Sequence, residues 1–331
     1  MSAPAESPVG GTIVTPVRRR RRVPGSVLTW MAVTPFAAWA AVRVAGLERG
    51  SLPTQIMTAT PYAAAGSLLP LLIAAAGRRR AATAVALVAT TALGLAVLPR
   101  ALGKAEAAAG RPFKVMTINM LFGRADAGTI VRMVREFDPD VLSTQELTPG
   151  AASDLDVAGL KELLPHRVLQ AEWSAGGSGI YSKHELRELP DVVPDVGHKM
   201  PAAVVSVPGG EPIEFVDVHP YPPLGPNVVN WNQALRTLPS ASPDRVRILA
   251  GDFNASLDHA ALRGLLSRGY KDAADQVGAG LIPTWPANKK VPPIITIDHV
   301  LVDRRVAVRA VDVRTVPGTD HRAVLAELTL P

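Results

Sequence analysis

The chain of 331 residues contains no cysteine, which excludes a disulfide framework, a thiolate metal site and a thiol nucleophile. Its net charge of +6 is unevenly distributed: the residues up to Arg111 include 13 Lys and Arg against 3 Asp and Glu, and the remainder includes 22 against 26. The mildly acidic remainder argues against a protein that depends on non-specific contacts with nucleic-acid phosphates.

Residues 1–25 are rich in Pro, Gly, Ser and Thr and predict a disordered, basic cytoplasmic tail. The run Arg18–Arg22 within it is compatible with binding to nucleic acid or to anionic lipid. Because the run lies directly before an apolar segment, we favour its interpretation as a signal for membrane topology.

Residues 26–98 contain three apolar segments that predict three transmembrane helices, at Val27–Leu47, at about 54–76 and at Ala81–Leu98. Each approaches the ~20 residues that cross the hydrocarbon core of a bilayer, and a signal peptide accounts for only one of them. Buried helices of a soluble protein are the alternative. Arg43, near the end of the first segment, is expected to extend its guanidinium to the membrane interface.

The arginine runs predict the orientation of the chain. Arg18–Arg22 precede the first span and Arg78–Arg80 lie between the second and third, so both runs belong on the cytoplasmic side. The third span then leaves the cytoplasm. Residues 99–112 are predicted to be a short linker, and residues 113–331 to be an extracytoplasmic domain of a multi-pass protein of the cell membrane.

From residue 113 onward, short apolar strands alternate with helices. Strands are predicted at Phe113–Leu121, Val141–Leu147, Gly179–Ser182, Ala202–Val207, Ile213–Val218, Val246–Ala250, Ile294–Leu301 and Ala323–Leu328. Helices are predicted within Ala125–Asp140 and at Val228–Leu238 and Leu257–Ser267. Many strands with few helices indicate a two-sheet α/β sandwich in one domain.

Polar residues lie at or near the ends of these predicted strands: Asn119, Glu146, His219, Asp252, Asn254, Asp298, Asp320 and His321. Asp252 and Asn254 are two residues apart on an extended backbone and are expected to point to the same side. Carboxylates bind Mg²⁺ through oxygen, and the ion neutralises phosphoryl oxygens and lowers the pKa of an attacking water. A carboxylate base orients that water, while histidines donate to the phosphate. The set predicts metal-assisted hydrolysis of a phosphate ester.

Each residue also has a simpler interpretation. Glu146 is also compatible with a helix cap or a surface charge. His219 is compatible with a histidine in a loop, and Asp320 with the cap of a turn. Asp298 in an apolar strand needs a partner, because a lone buried carboxylate is costly, and His321 is a candidate. His299 is expected to be a structural residue of its strand.

The same residues lie, in order, in the segments TINM, STQE, SGIYSK, DVHP, GDFN, IDHVL and TDHRAV. With this series, Phe113–Pro331 resembles the endonuclease/exonuclease/phosphatase superfamily. The resemblance implies the DNase-I-like fold, a four-layer α/β sandwich with its site at one end of the paired sheets. It implies Mg²⁺ as the cofactor, with Mn²⁺ and Ca²⁺ as alternatives.

The resemblance further implies a role for each residue. The metal-site residues would be Glu146 as the main ligand, Asn119 as support for the metal and the base, and Asp320 near the metal. The catalytic residues would be Asp252 as water activator, Asn254 as transition-state stabiliser, His219 as phosphate contact, and Asp298 with His321 as an Asp–His pair. Thr296 departs from the pattern, since many members have an arginine there, which weakens the expectation of a polyanionic substrate.

Three spans before an external domain of this superfamily resemble a narrower group, the actinobacterial membrane proteins of the VanJ type linked to teicoplanin resistance. This resemblance implies a membrane-tethered phosphohydrolase acting on a lipid-linked phosphate or pyrophosphate of cell-wall synthesis, such as undecaprenyl pyrophosphate. Neither a nucleic-acid partner nor a protein partner is expected. An extracytoplasmic nuclease or phosphodiesterase is one alternative, and a non-catalytic module that binds lipid II or a glycopeptide is another.

Overall fold

A computed structural model of the chain describes residues 25–190, 192–194, 197–288 and 292–331. The predicted basic tail therefore lies outside the described residues, apart from Gly25. The described chain has two parts, an N-terminal helical region, residues 25–101, and a sandwich domain, residues 111–331.

The N-terminal helical region consists of helices and tight turns. Its helices are α1 Gly25–Ala45, α2 Ser51–Met57, α3 Thr60–Gly66, α4 Leu68–Ala76 and α5 Arg80–Val97, followed by a 3₁₀ helix at Leu98–Ala101. Two helices of the described residues are long and apolar enough to cross a membrane, Gly25–Ala45 and Arg80–Ala101. These two correspond to the first and third predicted spans.

The second predicted span is broken. α2 passes the same test only in combination with α3 and α4, taken together as Thr60–Ala76, and the axis bends by 65° between α2 and this stretch. Pro61 lies at the start of α3, where it lacks the N–H that would continue a helix from α2. The region therefore contains two clear candidate spans, and a third only if the bent pair counts as one span.

The sandwich domain contains twelve strands among the described residues. They are β1 Arg111–Asn119, β2 Val141–Gln145, β3 His166–Gln170, β4 Ser178–Ser182, β5 Leu186–Glu188, β6 Ala202–Val205, β7 Ile213–Val218, β8 Arg247–Asp252, β9 Tyr270–Asp272, β10 Asp298–Asp303, β11 Ala307–Thr315 and β12 Arg322–Leu330. The helices are α6 Ala127–Phe137, α7 Pro149–Val157, α8 Leu160–Leu163, α9 Val228–Thr237, α10 Ala260–Ser267 and α11 Ala273–Gln276, with a 3₁₀ turn at Gly225–Asn227.

The strands form two six-stranded sheets that pack face to face. One has the order β11-β12-β1-β2-β4-β3 and the other the order β5-β6-β7-β8-β10-β9. Apolar side chains from both sheets, such as Phe113, Val141, Phe215 and Ile248, form the core between them. Helices α6 to α8 cover the outer face of the first sheet, and α9 and α10 cover that of the second. This arrangement is the expected α/β sandwich, with layers in the order helix, sheet, sheet, helix.

The strands that the sequence did not predict are the four edge strands, β3, β5, β9 and β11. Three of them have only three to five residues, and β11 has exposed or half-buried side chains along much of its length. Edge strands lack the continuous apolar runs that mark a buried strand. The strand predicted at Ile294–Leu301 is also shorter than expected, because the ladder begins only at Asp298.

The sheet topology brings the strand ends with the polar residues to one end of the sandwich. Each sheet has one parallel pair at its centre, β1 with β2 and β7 with β8, and the carboxyl ends of these strands lie together. β10 runs antiparallel to β8, so that its first residue, Asp298, pairs with Asp252 at the last position of β8. β12 likewise begins just after His321, beside the end of β1.

Candidate active site

The side-chain amide of Asn119 connects the two sheets at this end of the sandwich. Its Nδ2 donates to Glu146 Oε1 at 3.1 Å and to Asp252 Oδ2 at 3.1 Å. Its Oδ1 accepts from the backbone N–H of Leu121 at 2.9 Å, which orients the amide. Glu146 and Asp252 therefore both contact one fully buried asparagine, in a cluster of polar side chains that we call the cleft.

Glu146 follows β2 directly and has a left-handed backbone, with φ of 53°. A non-glycine residue in this conformation is strained, and such strain is found most often at functional sites. The turn directs the carboxylate back towards the end of β1, where Oε2 accepts from the N–H of Phe122 at 2.8 Å. Partial burial raises the pKa of Glu146, although Asn119 and Phe122 both stabilise the carboxylate.

Asp252 ends β8, and Asn254 lies beside it for a reason different from the predicted one. Asn254 has a left-handed φ of 48°, so the backbone is a turn here and not an extended strand. Its N–H donates to Asp252 Oδ1 at 2.8 Å, and its Nδ2 lies 3.5 Å from Asp252 Oδ2. Burial raises the pKa of Asp252 to about 7, against the opposing effect of the charge on His321.

His321 and Asp298 form the expected pair. His321 Nδ1 lies 3.0 Å from both carboxylate oxygens of Asp298, and Nε2 lies 3.6 Å from Asp252 Oδ2. Burial alone lowers the pKa of His321, but the negative charges of Asp298 and Asp252 raise it to about 10. His321 is accordingly an imidazolium at neutral pH, with Nε2 directed to the centre of the cleft.

His219, unlike His321, is uncharged. Its ring is buried, its Nε2 lies 3.9 Å from Asp252 Oδ2, and its Nδ1 has no hydrogen-bond partner among the described residues. Burial lowers the pKa of His219 well below its usual value, and the neighbouring His198 and His321 lower it further. His198, which the sequence did not indicate, packs against His219 with ring centroids 4.4 Å apart.

Asp320 completes the set of eight predicted residues. Its Oδ1 lies 3.9 Å from His321 Nε2, and its Oδ2 accepts from the indole N–H of Trp285 at 3.1 Å. The charge of Asp320 also contributes to the raised pKa of Glu146. The structure thus connects all eight residues through direct contacts or through one shared neighbour.

Sequence reasoning missed the groups that support these residues. Asp217 is fully buried in β7 and accepts from Gln145 Nε2 at 2.7 Å and from Gly179 N at 3.1 Å, which connects the second sheet to the first. Burial raises its pKa to about 8. The hydroxyl of Thr284 accepts from the N–H groups of Ile297 and Asp298. An acidic residue in the pattern VDV was the available signal for Asp217, and nothing local indicated Thr284.

His299 is structural, as expected. Its Nδ1 lies 2.8 Å from Asp272 Oδ2, and its Nε2 lies 2.8 Å from the carbonyl of Ala255. Both ring nitrogens are therefore occupied by the protein, away from the cleft. His299 thus pairs with Asp272 as His321 pairs with Asp298, but of these two pairs the second contacts Asp252.

The donors of the cleft suit a hard divalent ion. Four carboxyl groups, those of Glu146, Asp252, Asp298 and Asp320, surround the single imidazolium of His321. Ligand atoms of Asp252, Asp298 and His321 lie within 4.8 Å of one another, which is the spacing of a metal site. However, both oxygens of Asp298 contact His321 Nδ1, so this pair is better suited to holding a proton. Oxygen donors with excess negative charge favour Mg²⁺, Mn²⁺ or Ca²⁺.

Two face-to-face mixed sheets with this polar cluster at one end define a sandwich of the DNase-I-like class. The chain belongs to the endonuclease/exonuclease/phosphatase family, whose sequence model matches residues 116–321. This family generally hydrolyses phosphoester bonds and is typically dependent on a divalent metal. No curated protein matches the chain.

Several solved structures share the fold. An endonuclease/exonuclease/phosphatase from Beutenbergia cavernae is 20% identical, with 66% of this chain and 72% of that chain covered and a TM-score of 0.54. One from Bacteroides vulgatus is 17% identical, with 67% and 100% covered and a TM-score of 0.51. A humanized TDP2 of D. rerio is 16% identical, with 66% and 99% covered and a TM-score of 0.51. At these identities the similarity concerns the fold alone, and it covers about two thirds of the chain.

Proposed function

We propose that the protein is a membrane-anchored, divalent-metal-dependent phosphohydrolase that acts outside the cytoplasm on a lipid-linked phosphate or pyrophosphate. The observation that carries this proposal is the convergence of Glu146, Asp252 and His321 on one cleft, with Asn119 bridging the two carboxylates. Hydrolysis of a phosphate ester uses a carboxylate that binds an ion, a second carboxylate that accepts a proton, and an imidazolium.

Glu146 and Asp320 are the residues that would hold the ion, and Asn119 orients Glu146. When bound, Mg²⁺ supplies positive charge to the phosphoryl oxygens. Glu146 suits this role because its carboxylate faces the cleft with its backbone turned by the strained φ. Asp320 is fixed through Trp285 and leaves Oδ1 directed to the cleft.

The remaining residues would perform the proton transfer and the charge stabilisation. Asp252 accepts a proton from the attacking water as the new O–P bond forms and the P–O bond to the leaving group breaks. The neutral His219 and the amide of Asn254 donate to phosphoryl oxygens, and the imidazolium of His321 stabilises the negative charge that develops there. Asp298 keeps His321 protonated and oriented.

The choice of a lipid-linked substrate rests on the N-terminal third. Two of its helices are apolar and long enough to cross a bilayer. A membrane anchor confines the cleft near the bilayer and raises the effective concentration of a lipid substrate. The residues from Pro112 onward have a net charge of −4, which does not favour a polyanion such as nucleic acid. The resemblance to the VanJ type suggests undecaprenyl pyrophosphate and a role in teicoplanin resistance.

A substrate panel tests the proposal. The full-length protein in detergent, with Mg²⁺, should release inorganic phosphate from a polyprenyl pyrophosphate and should not degrade plasmid DNA. Asp252→Asn and His321→Gln should each abolish the release. Asp303→Asn, at the far end of β10, is the matched control and should retain activity.

The outcomes separate the alternatives. Degradation of DNA without phosphate release from the lipid would replace the proposal with a nuclease. Binding of lipid II or a glycopeptide with no hydrolysis by the wild type would favour a binding module. Phosphate release that persists in both Asp252→Asn and His321→Gln would contradict the assignment of the site.

A further inference from the structure

The N-terminal helical region contacts the sandwich domain at several segments, including the turn at Gly280, and in three of them the contacted residue lies in a loop next to a residue of the active site. The contacted residues are Pro223, Asp258 and Ile294. Each contacted residue lies close in sequence to a site residue: Pro223 follows His219, Asp258 follows Asn254, and Ile294 precedes Asp298.

The first contact fixes the loop that follows His219. Ser51, the first residue of α2, donates its hydroxyl to the carbonyl of Pro223 at 2.8 Å and accepts from the N–H of Gly225 at 2.8 Å. The other end of the loop is tied to the site, because the carbonyl of Pro220 accepts from Asn254 Nδ2 at 3.1 Å. The short segment between His219 and Gly225 is thus fixed at both ends.

The second contact is the most deeply buried. Arg100 donates two hydrogen bonds to Asp258, at 2.7 and 2.8 Å, and Arg43 donates a third at 3.0 Å. The carboxylate of Asp258 is completely inaccessible to solvent. The next residue, His259, lies with Nε2 2.8 Å from the carbonyl of Thr54. Arg43, which the sequence analysis expected at the membrane interface, therefore binds a carboxylate of the sandwich domain.

The third contact holds the segment before Asp298. The hydroxyl of Tyr62, in α3, donates to the carbonyl of Ile294 at 2.7 Å. The same segment continues to Ile297, whose carbonyl accepts from the N–H of Phe253, between Asp252 and Asn254. A cavity of about 180 Å³ lies beside this contact, with Tyr62 and Thr58 on one wall and Leu257 and Ile294 among the residues on the other.

We infer that the N-terminal helical region is a positioning element of the active site and not a passive anchor. It fixes the loops of His219, Asn254 and Asp298 relative to one another, with Ser51, Tyr62 and Asp258 as the positioning residues. The inference rests on the proposed function for the site itself. Its physical basis is that catalytic groups need placement to within a fraction of an ångström, and a 1 Å displacement can cost on the order of 100-fold in rate.

Two mild substitutions test this inference without removing buried charge. Ser51→Ala and Tyr62→Phe, combined in the full-length protein, remove only the two hydroxyls that contact the loops. Thr90→Val is the matched control, because its hydroxyl donates to the carbonyl of Ser67 within the helical region. The rescue variant combines Ser51→Thr with Tyr62→Phe. It differs from the double variant only at position 51, where threonine has the hydroxyl that alanine lacks.

Two readouts are measured with each variant. Hydrogen–deuterium exchange of residues 219–225 and 292–298 should become faster in the double variant, and remain unchanged in Thr90→Val. With p-nitrophenyl phosphate as a water-soluble substrate, kcat of the double variant should fall by about 10-fold or more with a smaller change in KM, because the displaced groups stabilise charge that develops mainly in the transition state. Ser51→Thr should recover part of the loss.

Unchanged exchange in both loops, or an unchanged kcat with faster exchange, would overturn the inference. A fall in kcat that merely parallels a loss of folded protein, as measured by the thermal unfolding temperature, would also overturn it. If the wild type hydrolyses no phosphate ester at all, the proposed function fails, and the exchange data alone then decide whether the helical region holds these loops.

Discussion

Asn119 and Asp252 are joined by a hydrogen bond of 3.1 Å that crosses between the two sheets of the sandwich. Asn119 ends β1 of one sheet and Asp252 ends β8 of the other, and they are 133 residues apart in the chain. The same amide also donates to Glu146. One neutral side chain thus sets the separation of the two carboxylates to which the proposal assigns metal binding and proton transfer.

Asn119→Ala should therefore lower activity without removing any charged group of the site. Loss of a partner that orients a metal ligand typically costs about 10–100-fold in metal affinity or activity, and we expect a loss of that size in kcat/KM. Asn232→Ala, at a half-buried position of α9 where the side chain contacts Arg236, is the control and should have wild-type kinetics. Equal kinetics of Asn119→Ala and the wild type would show that the bridge is not needed.

Glu146→Gln should weaken binding of the divalent ion. The amide keeps the size of the side chain and can still accept from Asn119, but it lacks the negative charge that attracts the ion. We expect the dissociation constant for Mg²⁺, measured by calorimetry, to increase by about 100-fold, and chelation by EDTA should abolish wild-type activity. Glu188→Gln alters an exposed glutamate far from the cleft and should bind Mg²⁺ as the wild type does. An unchanged dissociation constant for Glu146→Gln would contradict the ligand assignment.

The pH–rate profile should be bell-shaped. The rate should rise with pH as Asp252 loses its proton, and burial raises the pKa of Asp252 to about 7. A bound cation would move this acidic limb of the profile to lower pH. The rate should fall at higher pH as His321 loses its proton. The neighbouring carboxylates raise the pKa of His321 to about 10.

Asp298→Asn should move the alkaline limb to lower pH. Removal of the negative charge beside His321 makes its proton easier to lose, so its pKa decreases, by about 1–3 pH units for a close ion pair. Asp272→Asn is the matched control, because Asp272 makes the corresponding contact with His299 away from the cleft. The measurement is kcat/KM against pH, and an alkaline limb that stays in place in Asp298→Asn would refute the pairing.

Asp258→Asn should strongly destabilise the folded protein. It leaves Arg43 and Arg100 without a full counter-charge in a buried position, and breaking a buried ion pair in this way costs about 3–5 kcal/mol. Asp156→Asn breaks the partly exposed pair with Arg167 and should cost less than about 1 kcal/mol. Thermal unfolding in detergent compares the two variants, and similar unfolding temperatures would mean that the buried contact contributes little.

The absence of cysteine allows a direct test of membrane topology. Leu102 directly follows the candidate span Arg80–Ala101, and Ala81 lies at the start of that span. Both residues are exposed in the structure, and each is replaced by cysteine in its own variant. On intact cells, a membrane-impermeant maleimide should label Leu102→Cys and should label Ala81→Cys only after lysis. Labelling with the reverse pattern would place the sandwich domain in the cytoplasm.

Much of the candidate site was predictable because its residues follow apolar strands. Asn119, Glu146 and Asp252 come at the ends of three buried runs, and a run of this kind is a local signal in the sequence. The left-handed backbone of Asn254 was not predicted, although asparagine tolerates this conformation better than most residues, and its contact with the carbonyl of Pro220 joins segments 34 residues apart.

The sequence by itself determined the class of the fold, the residue types of the site and the presence of apolar helices at the amino end, since all of these are written in local patterns of polarity. Only the tertiary structure decided which residues contact each other over long distances. The pairing of Arg100 with Asp258, 158 residues apart, depends on how two surfaces that are distant in the sequence fit together. No pattern within either segment records such a fit, because the free energy that favours it is gained only when both surfaces leave water together.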